Sequence, residues 1–285
     1  MDSKKRGIDF ENKENPEWIA GIYNYCDRWC ERCAFTTRCR SFAMEMKSLD
    51  QSEEEEEVPI QGTKEHDIRS KEFWDDLGAM MNQTLEYLRS VSAESDTESV
   101  AMNDQQWEDL KKRDEEIEEQ ARQHPVAVAA WKYSDLTERW MAQNSEIVNQ
   151  KYSELDTRIK LDAGKKRAAT EADLIRDAHE IIRWYEPQIW VKLMRALTGK
   201  MSEEKETSEI PGPKDSDGSA KVSLISIDRS LAAWGQLQFI FPEQTNDFIT
   251  ILLQLDRLRR QVEAEFPDAR LFKRAGFDDE ENAGR

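Results

Sequence analysis

The chain has 285 residues, enough to bury a sizeable core as one elaborated domain or two small ones. Only 38% of them are hydrophobic while 35% are charged, so much of the chain is expected as solvated surface or linker; nine Trp, ten Phe and six Tyr still supply a core. A formal net charge of −18 repels phosphate backbones and anionic lipid headgroups, which argues against nucleic-acid and membrane partners. No apolar run approaches the roughly 18 residues of a membrane span, and Met1 to Phe10 lacks the apolar stretch of a signal peptide, so a cytoplasmic location is expected.

In chain order, Asn15-Pro16-Glu17 reads as a helix start, with Pro at the first helical position. The segment it opens runs through the cysteines to about Lys47, giving a Cys-rich helical N-terminal module over residues 1–49. An acidic linker follows at 50–66, where Glu53 to Glu57 precede Pro59 and too little apolar surface exists to offset ordering entropy. Residues 67–200 form the expected helical bundle. In it, Phe73, Leu77, Met81, Thr84, Leu85 and Leu88 make one stripe of a helix from Ser70 to Ser90, and a second linker spans Ser92 to about Asn103. From Asp104 to Gln123 charge dominates, which predicts a mostly exposed helix anchored by Trp107 and Leu110.

His124-Pro125 marks a boundary, because a residue before proline is pushed out of the helical region. Beyond it Val126, Tyr133, Trp140 and Ile147 recur every seven residues, and Val148, Tyr152, Leu155 and Ile159 continue the stripe after a small shift of phase. A further helix from about Thr170 to Gly199 carries Leu174, Ala178, Ile181, Tyr185, Ile189, Leu193 and Leu197 on one face, with a kink expected at Pro187 and a stop at Gly199. Residues 201–220, with Pro211, Gly212, Pro213 and Gly218, read as a flexible linker, 221–277 as a C-terminal helical hairpin packing on the bundle, and 278–285 as a disordered tail. Val222 to Ile227 fits a short strand or a helix equally well. The predicted fold is all-α, an irregular multi-helix bundle with acidic disordered linkers.

All four cysteines fall in one segment, Cys26-Asp-Arg-Trp-Cys30-Glu-Arg-Cys33-Ala-Phe-Thr-Thr-Arg-Cys39. Four thiols at this spacing suit a tetrahedral zinc or an iron–sulfur cluster, and a reducing compartment disfavours the disulfide alternative. On an unbroken helix, Cys26 and Cys33 would stand roughly 10.5 Å apart along the axis, whereas thiolates around one zinc sit about 3.8 Å apart. Either the helix breaks near Cys30, or a larger cluster spans the gap, or only some of the four ligate. The segment has no glycine for a zinc knuckle and carries Trp29, Phe35 and Phe42, which favours iron–sulfur over zinc. Arg28, Arg32, Arg38 and Arg40 offer charge to balance thiolates in either case. The competing readings are small buried hydrophobes, or thiol redox at Cys30-x-x-Cys33.

Cys30-Glu-Arg-Cys33-Ala-Phe-Thr-Thr-Arg-Cys39 resembles the C-x2-C-x5-C element of iron–sulfur nucleases of the RecB-like kind over ten residues. That resemblance implies cluster ligation by these cysteines; the mixed α/β core with its Asp, Glu and Lys that a nuclease needs is not expected here, so no nuclease activity is carried over. The chain as a whole, with Tyr25-Cys26-Asp27-Arg28-Trp29-Cys30 and Arg195-Ala196-Leu197-Thr198-Gly199, resembles uncharacterised bacterial helical proteins, which implies no activity.

Elsewhere, Asp173, Asp177 and Glu180 stand at i, i+4 and i+7 near His179, Tyr185 and Glu186, the other place where a metal site is conceivable. The Glu-x-x-His pairs of di-metal bundles are missing, so a solvated acidic face is the plainer reading. Asp228, among Leu224, Ile225 and Leu231, is expected to be buried and paired with an arginine. Phosphate loops, nucleophile elbows and Ser/His/Asp groupings are lacking. The function expected is that of a non-enzymatic interaction or structural protein with a metal-stapled N-terminal module, able to meet a protein partner or self-associate; the alternative is an iron–sulfur redox or sensor protein.

Overall fold

The structure, a computed structural model, describes residues 18–46, 104–205 and 214–279. The chain divides into two compact units, Met1–Ala43 with Arg113–Arg285, and Met44–Lys112. The first contains the bundle and the cysteines. The expected linker at 50–66 and helix at 70–90 lie outside the described residues.

Five long helices account for most of what is described: α1 (Asp104–Gln123), α2 (Pro125–Lys160), α3 (Lys165–Lys205), α4 (Asp215–Ile240) and α5 (Thr245–Glu265). No strand occurs among the described residues, and Val222 to Ile227 lies inside α4. The fold is an all-α bundle. Among the described residues no helix is long and apolar enough to cross a membrane.

Local chemistry sets the boundaries. His124 caps α2, its Nδ1 accepting the Val126 N–H at 3.3 Å, and Pro125 fills the first position, where no N–H is needed. Asp162 (φ 54°) and Gly164 (φ 68°) turn the chain between α2 and α3. The α3 helix runs unbroken through Pro187 and past Gly199, where a stop is expected from sequence, to Lys205. Gly199 stays helical there, facing Ser216 across the start of α4. α4 opens at Asp215, inside the stretch whose composition suggests a linker, because its first turn is held from α3: Glu203 accepts from the Ser216 N–H and hydroxyl at 3.4 and 3.0 Å. Asp215 and Asp217 also complement the positive end of the helix.

Helices α2 to α5 close a ring in which α3 packs on α2 and α4, and α5 on α4 and α2. At its centre Trp140 of α2 lies edge-on to Trp234 of α4, 5.1 Å between centroids, and both touch Phe248 of α5. Tyr133, Tyr185, Ile189, Leu193, Leu224, Ile227 and Leu255 are fully buried around them. In α1 the buried residues are Ile117 and Ala121, while Trp107 remains 54% exposed. Phe266 closes α5 before Pro267, and the chain continues through a 3-10 turn at Ala269–Leu271 that packs on α4. Beyond it Lys221 of α4 donates to the Phe272 carbonyl and pairs with Asp278 at 2.9 Å, so this strap reaches into the stretch expected as a free tail.

Candidate metal centre

Residues 18–39 do not form the helix that the spacing suggests. A turn at 20–25 leads into irregular backbone at 26–29, then 3-10 turns at Cys30–Arg32 and Thr36–Arg38, with α-helix beginning only at residue 40. Arg28, at φ 57°, takes a left-handed conformation that no helix continues through. The Ile19 N–H donates to the Arg38 carbonyl at 3.1 Å and closes the loop on itself.

This path brings the four cysteines together. Cys26, Cys30, Cys33 and Cys39 line one cavity of about 20 Å³, walled otherwise mainly by apolar and aromatic groups including Ile22, Trp29, Phe42 and Phe277, with Asp27, Arg28 and Thr36 also in its lining. All four are free thiols and partly buried. The Cys26 thiol donates to the Tyr23 carbonyl at 3.5 Å, and the Phe35 N–H donates to Cys33 Sγ at 3.4 Å. Burial raises the Cys33 thiol above its ordinary value, partly offset by that N–H, with Asp27, Cys26 and Cys39 adding to the rise. Among the described residues no group of three or more His, Cys, Asp or Glu is arranged to hold a metal ion. The cysteines share a cavity wall, and one zinc would require them to draw in to about 3.8 Å from each other.

The donor chemistry fits a thiophilic centre. The lining is mainly apolar, one sulfur already receives a backbone N–H, and cations flank the loop. Burial lowers the Lys192 ammonium of α3, which lies near Cys26, below its ordinary value.

Asp27 fastens the loop to the bundle. Its carboxylate accepts the Tyr185 hydroxyl at 2.6 Å and the Arg229 guanidinium at 2.5 Å, and its other oxygen accepts the Trp29 N–H at 3.2 Å. Its carbonyl accepts the Trp184 indole N–H at 3.0 Å and the Gln188 amide at 2.5 Å. Burial and then the Asp27 carboxylate push the Tyr185 phenol far above its ordinary range. Trp29 stacks on Trp184 at 5.2 Å, and Arg32 covers its ring at 4.3 Å. On the far side, Tyr25 donates to Asp215 at 2.9 Å and lies edge-on to Phe272, while Phe35 meets Phe277. Burial, followed by Asp215, raises Tyr25 to about 12. Gly276 of the strap sits under Ile19 and Ile22; its φ of 77° and the 3.0 Å approach leave no room for a side chain.

The carboxylates of α3 are used differently. Asp177 and Glu180 hold Arg32 of the cysteine loop at 3.0 and 2.6 Å, Asp173 pairs with Arg176, and Glu186 accepts from Ser134. His179 packs against Trp140, and burial lowers its imidazole. The i+4 and i+7 members of the row thus grip the loop, while Asp173 pairs within its own helix. Asp228 pairs with Arg270 at 2.6 Å, as the sequence suggests, but remains 39% exposed.

Asp27, Trp184, Gln188 and Arg229 carry no role in the sequence reading. The available signal was an acidic residue inside an arginine-rich cysteine motif, which local charge alone does not explain. Searches of protein-family models, curated proteins and solved structures each return no match to this chain.

Proposed function

We propose that this chain is a metal-binding helical interaction protein whose N-terminal loop is stapled into shape by a centre held on Cys26, Cys30, Cys33 and Cys39 and so stabilised for docking on the bundle. The observation that carries the reading is that all four thiols line one small, mainly apolar cavity. A cubane iron–sulfur cluster is favoured over zinc, because it takes each thiolate on a different iron and tolerates wider spacing than one tetrahedral ion. Residues 18–39 have little secondary structure of their own, and a metal supplies folding energy to such a segment. Exposed Val128, Trp131 and Val191, with Trp190 against Trp131 at 5.8 Å, support an interaction role through a protein partner or a second copy. Free thiols suit a reducing compartment such as the cytoplasm.

The test is anaerobic purification with elemental analysis for iron and zinc and an absorption spectrum. Broad absorption near about 400 nm with matching iron is expected; one zinc per chain without colour supports the staple with the other metal. Absence of both, together with Cys→Ser variants that fold and assemble as wild type, refutes it.

A second reading, an iron–sulfur redox or sensor protein, draws support from a cleft of about 370 Å³ that shares Asp27, Trp29, Cys33 and Phe277 with the thiol cavity. Reversible bleaching of the absorption by dithionite and air separates it from a static staple.

A further inference from the structure

We propose that Asp27 is the positioning residue of the thiol centre, making assembly of the centre and docking of the loop on α3 and α4 a single linked event; this rests on the reading of the four cysteines as a metal centre. Asp27 follows Cys26 directly and precedes Cys30 by three residues, and between them Arg28 holds a left-handed bend. A peptide this short does not shift Cys26 or Cys30 without shifting Asp27. Among the described residues every long-range bond of Asp27 goes to the bundle: Trp184, Tyr185 and Gln188 on α3, and Arg229 on α4.

The carboxylate is 19% exposed, and Arg229 donates both to it and to the Tyr185 hydroxyl, so three groups lock one another. Trp29, between the same two cysteines, stacks on Trp184. A centre that needs Cys26 and Cys30 in register therefore needs this clamp, and by linkage a filled centre holds the clamp closed. Arg229 and Tyr185 donate to Asp27 rather than to a sulfur, which lets the coupling be tested away from the ligands.

The experiment uses the full chain, wild type and the variants Asp27→Asn, Arg229→Gln, Tyr185→Phe and Asp228→Asn. Each is reconstituted under argon with Fe²⁺ and sulfide and, in parallel, loaded with Co²⁺. EDTA is titrated while thiolate-to-metal absorption and tryptophan emission are followed. Asp27→Asn and Arg229→Gln are expected to lose metal at roughly 10- to 100-fold lower EDTA, the usual cost of removing a partner that orients a ligand, with a shifted absorption band. Stripping wild type changes the emission of the Trp29–Trp184 pair; in Asp27→Asn that change is lost. Asp228→Asn, whose ion-pair partners are Arg270 and Arg259 rather than a residue of the loop, is expected to behave as wild type. Tyr185→Phe removes one hydroxyl and keeps the test readable should a charge variant misfold. Variants with wild-type helicity, wild-type EDTA midpoints and an unshifted band overturn the role of Asp27 and leave the centre standing. A wild-type chain that takes up neither metal overturns the centre and this inference with it.

Discussion

The ring of Tyr25 lies directly over Gly218: a Cβ built at Gly218 would stand 2.3 Å from Tyr25 Cε1 and 2.8 Å from Phe272 Cζ. The ring has no easy retreat, since its hydroxyl is tied to Asp215 and its edge meets Phe272. Gly218→Ala therefore gains helix propensity but loses the fit of the cysteine loop, a net destabilisation of about 1–3 kcal/mol. Gly235, also within α4, has nothing within 4 Å of its virtual Cβ. Gly235→Ala is expected to stabilise by about 0.5–1 kcal/mol. Urea unfolding of the two variants should move in opposite directions; a Gly218→Ala midpoint at or above wild type contradicts the close approach.

In the core, the Trp234 indole N–H donates to the Tyr133 hydroxyl at 3.2 Å, and both side chains are fully buried. Tyr133→Phe fills the same space but leaves that N–H without its acceptor, at a cost of about 1–3 kcal/mol. Circular dichroism at 222 nm through a urea titration measures it. A change below about 0.5 kcal/mol, the scale of ordinary surface substitutions, would mean that another group takes the proton.

How far the sequence could be read depended on how local the cause was. The stripe of α2 is legible because its burial follows one helix's own period: Val126, Tyr133 and Trp140 are buried, and Ile147 gives way to Val148 as a seven-residue repeat drifts around a helix of 3.6 residues per turn. On α3 the same logic slips, with Leu174 38% exposed and Ile175 fully buried. Gly199 looks like a stop until Ser216 of α4 is seen packed against it. The cysteines suit a helix by spacing alone, and nothing local reveals the left-handed Arg28. Asp27 depends on Tyr185 and Arg229, which lie 158 and 202 residues away in sequence. That the four cysteines lie near one another follows from their clustering in sequence, and they line one cavity; the contacts that hold their loop were not legible.

His179 gives a stability effect in the mildly acidic range. Burial lowers its imidazole, and Arg183 adds to the effect. The unfolded chain binds a proton near pH 6.5 while the folded chain resists it, so stability falls as pH drops below about 6.5 and levels off once the folded form also protonates. His179→Gln removes this slope. Urea midpoints at pH 7.5 and 5.5 should differ more for wild type than for the variant, and equal differences would mean that the ring meets solvent.

Asp278 acts at lower pH and with the ordinary carboxylate sign. Burial opposes its ionisation, but the Arg274 side chain and N–H and the Lys221 ammonium outweigh burial and hold its carboxyl well below the usual range. A depressed folded value means that the stabilisation is complete above the unfolded value near 3.9 and disappears as pH falls through the folded one. Phe277, its neighbour in the strap, walls the thiol cavity, so protonation of Asp278 is expected to loosen that wall as well as the contact with α4. Asp278→Asn should be less stable than wild type at pH 7 and lose less between pH 4 and pH 2. Its thiols should also react faster with a maleimide at pH 7, because the strap that carries Phe277, a wall of the thiol cavity, has lost one of its ties to α4. Unchanged labelling alongside reduced stability would confine Asp278 to the α4 contact and separate the strap from the cavity.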